Sequence, residues 1–179
     1  MTQLPQPGFS SEPARQDIQS MSSTESNTQG AWEDRWTKPT FDMLMSVYDP
    51  AGRKRILEQL FVNFDEFPNI RREIIWFGSA WKWTEQFILT DSKGKDIEVL
   101  AYFIPNPETP GICVPLREEF IEALPLKRLN KFIREGIRTA VAKCAVEVAW
   151  ASWSPNASTE VEHLTDLFKR KYKFLTNTK

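Results

Sequence analysis

The sequence predicts an α+β fold, in which a mainly antiparallel sheet of about five strands has helices packed on one face. Helical periodicity occurs on both sides of a run of four short strand-like segments between residues 72 and 115. The connections between these segments are too short for the crossover helices that parallel strands need. Runs of strands separated from runs of helices are typical of α+β domains. We expect the opposite face of the sheet to be open or covered by loops.

The chain of 179 residues fits one domain with an appended tail. Residues 1–36 are predicted to form a disordered N-terminal tail, because the stretch up to residue 30 is rich in Ser, Thr, Gln, Glu and Pro and poor in large apolar residues. Residues 37–179 are predicted to form a single α+β domain. Trp32 and Trp36 follow the polar stretch and are expected to attach the tail to the domain surface.

Two helices are predicted at the start of the domain. A short one covers residues 40–48, where apolar residues recur at i, i+3, i+4 and i+7. The second is predicted from Pro50 to about Phe64, because Asp49 is a favourable N-cap and proline is favourable at the first helical position.

Strands are predicted next, over residues 72–77, 81–89, 97–104 and 111–115. The first two are joined at Gly78-Ser79-Ala80, and a polar turn with Gly94 joins the second to the third. In the second strand, alternation assigns Trp81, Trp83, Phe87 and Leu89 to one face and Lys82 and Gln86 to the other.

The C-terminal part is predicted to contain helices over residues 117–124 and 126–141, a strand over 145–153 and a final helix. In the strand, Val146, Val148 and Trp150 are predicted on one face, and Glu147, Ala149, Ala151 and Trp153 on the other. Thr159 with Glu162 is typical of a capping box at the start of the final helix. Its apolar stripe is predicted to comprise Val161, Leu164, Phe168, Tyr172 and Leu175.

Composition argues against several classes of function. The formal net charge of −1 argues against nucleic acid and anionic membrane as partners, which require a basic surplus. No apolar stretch is long enough to span a bilayer and no secretory signal is recognisable, so we expect a cytoplasmic protein. Cys113 and Cys144 have no His or Cys at metal-ligand spacing and are interpreted as small buried residues. We therefore expect no metal site and no cofactor.

Catalytic motifs are absent from the sequence. His163, the only histidine, is interpreted as a solvated helix residue, and Gly78-Ser79-Ala80 lacks the spacing of a phosphate loop. The most unusual segment of the sequence is rich in aromatic residues, with three tryptophans in the eight residues from Trp76 to Trp83. These rings either fill the core or line a ligand face. The candidate ligand-binding residues are Trp76, Trp81, Trp83, Tyr102 and Trp150, with Lys82, Glu85 and Glu147 as polar neighbours if they share that face.

Several of these segments resemble one protein family. The segments are EIIWFG at residues 73–78, WKW at 81–83, LAYFIP at 100–105 and WASW at 150–153, which precedes a basic helix. Together they resemble the YdhG-like group of small bacterial α+β domains, and most closely a branch known only as a domain of unknown function. The resemblance covers roughly residues 39–175.

The resemblance implies a frataxin-like sandwich of helices against a sheet, and some relatives are described as iron chaperones. Iron delivery would need acidic residues on an exposed helix face, for which the candidates are Glu118, Glu119, Glu122, Glu58 and Glu66. The helix predicted from Pro50 instead carries Arg53, Lys54 and Arg55 against Glu58.

Three hypotheses for the function follow. The first is a non-enzymatic module that binds a small molecule or a protein through an aromatic sheet face. The second is a frataxin-like iron-binding protein. The third is an enzyme in which carboxylates among Glu73, Glu85 and Glu147 work in pairs.

Overall fold

The computed structural model describes residues 28–143 and 147–177. The helices are α1 (Thr28–Glu33), α2 (Phe41–Met45), α3 (Arg53–Asp65), α4 (Glu118–Ala123), α5 (Lys131–Lys143) and α6 (Ser158–Asn177). The strands are β1 (Ile70–Trp76), β2 (Trp83–Thr90), β3 (Asp96–Ile104), β4 (Gly111–Arg117) and β5 (Val148–Trp153). A single 3-10 turn, Leu126–Arg128, precedes α5.

The five strands form one antiparallel sheet in the order β1-β2-β3-β4-β5, so each strand pairs with its neighbour in the chain. The register places Trp76 opposite Trp83, Tyr102 opposite Cys113 and Pro115 opposite Trp150. The predicted α+β fold with a mainly antiparallel sheet is therefore confirmed.

The core lies between one face of the sheet and helices α3, α5 and α6. Phe64 of α3 stacks on Phe168 of α6 with 3.8 Å between the ring centroids, and Phe87 of β2 contacts both rings. At the other end of the sheet, the indole nitrogen of Trp153 in β5 donates to the carbonyl oxygen of Phe132 in α5 at 3.0 Å. Ala149, Ala151 and Trp153 are buried on this face, so the prediction that these three residues share a face is confirmed.

Two predicted helix boundaries are wrong for local reasons. Residues 49–52 form a turn in which the Asp49 carbonyl accepts from the amides of Gly52 and Lys54, so α3 begins at Arg53 and not at Pro50. The helix predicted over 126–141 is interrupted before Lys131. There the side-chain oxygen of Asn130 accepts from the amide of Phe132 at 2.8 Å, which caps α5.

Helix α1 falls within the segment predicted as a disordered tail. Trp32 is buried against Leu44 and Trp83, and its indole nitrogen donates to the Trp81 carbonyl at 3.1 Å. Trp32 therefore joins this segment to the domain, whereas Trp36 is 89% exposed. The rest of the predicted tail, residues 1–27, and the predicted positions of Cys144 and Val146 lie outside the described residues.

A buried lysine joins β3 to β4 from the helix side. Lys171 of α6 is 2% exposed, and its Nζ donates to the carbonyl oxygens of Val99 at 2.8 Å, Leu100 at 3.3 Å and Pro115 at 2.6 Å. Glu98 Oε1 lies 3.3 Å from the same nitrogen. The lysine thus supplies a donor to carbonyl groups of two adjacent strands.

Candidate functional site: an aromatic cluster on the open sheet face

The loop between β1 and β2 places two aromatic side chains on the face of the sheet opposite the helices. Phe77 donates its amide to the Lys82 carbonyl at 2.8 Å, and Lys82 donates its amide to the Gly78 carbonyl at 2.8 Å. Gly78 and Lys82 have φ of 102° and 54°, in the left-handed region. The chain therefore reverses within residues 77–82.

Four aromatic side chains then meet on this open face, and we call Phe77, Trp81, Tyr102 and Trp150 the aromatic cluster. Phe77 stacks on Trp81 with 4.7 Å between centroids. Tyr102 and Trp150 each lie 5.5–5.6 Å from Trp81 and from one another. Phe77 also contacts Tyr102 at 5.3 Å and Trp150 at 6.3 Å. Each ring therefore contacts the other three.

Part of this apolar cluster remains accessible. Phe77 is 39% exposed and Trp150 is 42% exposed, while Tyr102 is buried beneath them. Beside Tyr102 lies the buried Cys113, paired across the strands with Ser152. Burial raises the pKa of the Cys113 thiol to about 11 and also raises the pKa of Tyr102. Both groups are therefore neutral at physiological pH, and the floor of the cluster is uncharged.

The five predicted ligand-binding residues divide between the two faces. Trp81, Tyr102 and Trp150 belong to the aromatic cluster. Trp83 is buried on the helix side, where its indole nitrogen donates to the Asp34 carbonyl at 2.6 Å, and Trp76 packs edge-on against it at 5.6 Å. The prediction that Trp81 and Trp83 share a face is wrong, because the left-handed φ of Lys82 interrupts the alternation.

Phe77 is the member of the cluster that the sequence reasoning missed. It follows β1 directly, at the end of the segment that the sequence predicts as the first strand. Its signal in the sequence is its place between Trp76 and Gly78, inside the aromatic run that also contains Trp81 and Trp83.

The expected polar neighbours occupy other places. Glu85 is buried on the helix side and accepts two hydrogen bonds of 2.9 Å from Arg72. Burial raises the pKa of Glu85, while the bonds from Arg72 oppose that rise. Lys82 pairs with Glu33 and lies over the Trp32 ring, and Glu147 is exposed beside β5.

The carboxylates of the enzyme hypothesis are not brought together by the sheet. Glu73 lies opposite Gln86, while Glu85 lies opposite Ile74, so the alternation of the strands sends the two carboxylates to opposite faces. Glu73 instead accepts a hydrogen bond from Arg71 at 2.6 Å, which lowers the pKa of this carboxyl. Glu147 adjoins β5, at the other edge of the sheet.

A groove adjoins the cluster at Trp150. It has a volume of about 670 Å3 and lies between α5 and β5. One wall is formed by α5, with Phe132, Glu135, Gly136, Thr139, Ala140 and Lys143. The other wall is formed by β5 and the residue after it, with Val148, Trp150, Ser152, Trp153 and Ser154. Trp150 is therefore shared by the groove and the cluster.

The residues considered for metal binding are dispersed. Within residues 28–143 and 147–177, no three His, Cys, Asp or Glu side chains are grouped so that they could hold a metal ion. Glu58 lies 3.9 Å from Lys54 on α3, while Glu118 and Glu119 line a cavity with Arg117 and Glu147. His163 lines a separate cavity with Arg128, Asp166 and Arg170.

The chain matches no model of a known protein family, and no curated protein matches its sequence closely. None of the helices in the described part of the chain is both long enough and apolar enough to cross a bilayer.

Proposed function

We propose that this protein is a non-enzymatic binding module that holds a protein partner on its open sheet face. The observation that carries the proposal is the aromatic cluster, in which Phe77 and Trp150 remain about two-fifths exposed. Among the described residues, the helices pack against the other face of the sheet. Contiguous exposed apolar patches typically mark interaction sites.

The shape of the cluster favours a protein over a small molecule. Small-molecule sites are usually concave and enclose most of the ligand. The rings of the cluster instead pack against one another, and the 670 Å3 groove reaches them through Trp150 and none of the other three. Aromatic anchors of this kind supply much of the binding energy in protein interfaces, since they bury a large area at a small entropic cost.

Site-specific photocrosslinking tests this proposal. A photoreactive phenylalanine analogue replaces Phe77 in one variant and Trp36 in a control variant, since Trp36 is also an exposed aromatic residue but lies outside the cluster. Both are irradiated in an extract of the cells that express the chain. We expect a discrete adduct from position 77 that excess unlabelled wild-type protein suppresses.

Competition by unlabelled variants tests whether the adduct forms through the aromatic cluster. Unlabelled protein carrying Trp150→Ala is expected to compete poorly, whereas Trp36→Ala is expected to compete like the wild type. Identical adducts from positions 77 and 36, or equal competition by both variants, would contradict the proposal.

A further inference from the structure

The two outer strands of the sheet differ in their charge. β1 carries Arg71, Arg72 and Glu73 in its seven residues, whereas β5 reads VAWASW and contains neither a charged residue nor a proline. Charged side chains and proline are the usual means by which an outer strand avoids pairing with another chain. β5 is therefore chemically suited to accept a further strand, and β1 is not.

The groove beside the aromatic cluster follows the outer edge of β5, with which no other strand within residues 28–143 and 147–177 pairs. Val148, Trp150 and Ser152 alternate with the buried residues of β5 and so project from the open face, while α5 packs on the opposite face. The groove is lined both by these open-face residues and by residues of α5. It therefore passes along the edge of β5, beside the main-chain groups that point away from β4. Gly136, Thr139 and Ala140 form the centre of its α5 wall, where the indole of Trp153 packs directly against Gly136.

The length of the groove fits a short extended peptide. Phe132 and Lys143 mark its two ends on α5, and eleven helical steps of 1.5 Å separate them by about 17 Å. An extended chain advances ~3.3 Å per residue, so about five residues would fill this length. β5 itself has six residues, Val148–Trp153, along which such a peptide can pair.

Opposite charges lie toward the two ends of the groove. Lys143 lies at the end near Val148, where β5 begins, and Glu135 lies beside Gly136, which packs against Trp153 at the end of β5. All pairings in this sheet are antiparallel, which is also the more stable arrangement, so we expect an added strand to be antiparallel to β5, with its N-terminal end near Glu135 and its C-terminal end near Lys143. Glu135 also lies 3.7 Å from Arg138 in an exposed pair, and such pairs are weak and easily exchanged.

We propose that the groove along β5 binds an extended segment of a partner protein, which adds antiparallel to β5 as a sixth strand. The segment carries a basic residue near its N-terminal end, beside Glu135, and an acidic residue near its C-terminal end, beside Lys143. Main-chain hydrogen bonds to β5 provide affinity, and the two end charges set the direction of the segment. This site goes beyond the aromatic cluster because it uses the backbone of β5, and the two surfaces meet at Trp150.

Peptide titration of the whole chain, followed by amide NMR, tests this inference. The probe is the hexapeptide Lys-Val-Thr-Val-Thr-Glu, compared with its charge-reversed form Glu-Val-Thr-Val-Thr-Lys and with a form N-methylated at alternate amides. We expect shifts of amide resonances in β5 and α5. The charge-reversed peptide can restore both ion pairs only by pairing parallel to β5, which is the less stable arrangement, and it should bind about fivefold more weakly. The N-methylated peptide should not bind, because it lacks the main-chain donors.

Charge-exchange variants give the matched control. The double variant Glu135→Lys/Lys143→Glu should invert the preference between the two peptides. Lys131→Glu should leave it unchanged, since Lys131 is an exposed α5 residue outside the groove. Absence of shifts at millimolar peptide, equal binding of the N-methylated form, or a preference unmoved by the double variant would overturn the inference.

Two further readouts separate the alternatives. If the β5 amides shift with protein concentration in the absence of peptide, a second copy of the chain occupies the groove, and the inference is overturned in favour of self-pairing. The Phe77→Ala variant should still bind the peptide. As an unlabelled competitor in the photocrosslinking experiment, however, it should suppress the adduct less well than the wild type. The two proposals can therefore fail independently.

Discussion

Trp81 and Trp83 are separated by a single residue and lie on opposite faces of the sheet. Trp81 contacts Tyr102 and Trp150 on the open face, whereas Trp83 is buried with Trp32 and Leu44 on the other. In a regular strand, residues i and i+2 share a face. The exception depends on Lys82, whose φ of 54° turns the backbone between the two indoles. This one backbone conformation brings Trp81 to the aromatic cluster.

The conformation of Lys82 gives the first prediction. A β-branched residue is strongly disfavoured in the left-handed region, whereas glycine adopts it freely. Lys82→Val and Lys82→Gly both remove the contacts with Glu33 and Trp32, so the difference between them isolates the backbone. We expect Lys82→Val to be less stable than Lys82→Gly by about 1–2 kcal/mol in urea denaturation. Equal stabilities would show that position 82 does not require this conformation.

Gly136 gives the second prediction. A Cβ added at Gly136 would overlap the indole of Trp153, which hydrogen-bonds to Phe132 and holds α5 on β5. Gly136→Ala is therefore expected to destabilise the fold by about 1–3 kcal/mol, the usual range for overpacking. Gly111→Ala is the control, because its added Cβ would meet its neighbours at 4.0 Å, an ordinary contact. Thermal unfolding of both variants checks the contrast, and a similar loss in the two would contradict it.

The sequence predicts the fold better than the site, for a physical reason. The strand order follows from short connections and local alternation, both of which are visible in the chain. The face of Trp81 depends on a left-handed lysine that no pattern marks. The sequence does indicate that Lys171 faces the core, because it lies three residues after Phe168 on the apolar stripe of α6. Its partners are carbonyl groups of β3 and β4, which only the tertiary structure brings within reach.

Lys171 gives the third prediction, which concerns pH. Burial lowers the pKa of Lys171 to about 8, from an ordinary value of 10.5. Below pH 8 the lysine is protonated in the folded and the unfolded chain, so the full cost of burying its charge is present. Between pH 8 and about 10.5 the unfolded chain binds more protons, and this group raises stability as the pH rises. The gain is limited to about 3 kcal/mol, since each pKa unit corresponds to ~1.4 kcal/mol.

Comparison with Lys171→Met isolates this contribution. Tyr48 has a raised pKa and opposes the gain at high pH, but it is present in both proteins and cancels in the difference. Cys113 also has a raised pKa, which the charge of Lys171 lowers, so removal of Lys171 makes its opposing effect larger in the variant and acts in the same direction as the expected trend. The stability of the wild type relative to Lys171→Met should therefore increase between pH 8 and 10, as measured by urea denaturation. Lys127→Met, at an exposed lysine, is the matched control for the replacement of a lysine by methionine. A pH-independent difference for Lys171→Met would contradict the lowered pKa.

Trp150 and Trp83 give the last prediction, which separates binding from architecture. Trp83 is buried and bonded to Asp34, so Trp83→Ala should cost about 3–5 kcal/mol of folding stability. Trp150 is 42% exposed and makes ring contacts on its inner side, so Trp150→Ala should cost about 1 kcal/mol. Its larger effect should be on partner binding, since an exposed aromatic anchor loses its interface area when it is truncated. Urea denaturation tests the predicted stabilities, and photocrosslinking competition with the same protein preparations tests the predicted loss of partner binding. A loss of stability for Trp150→Ala as large as that for Trp83→Ala would make the aromatic cluster a second core rather than a binding surface.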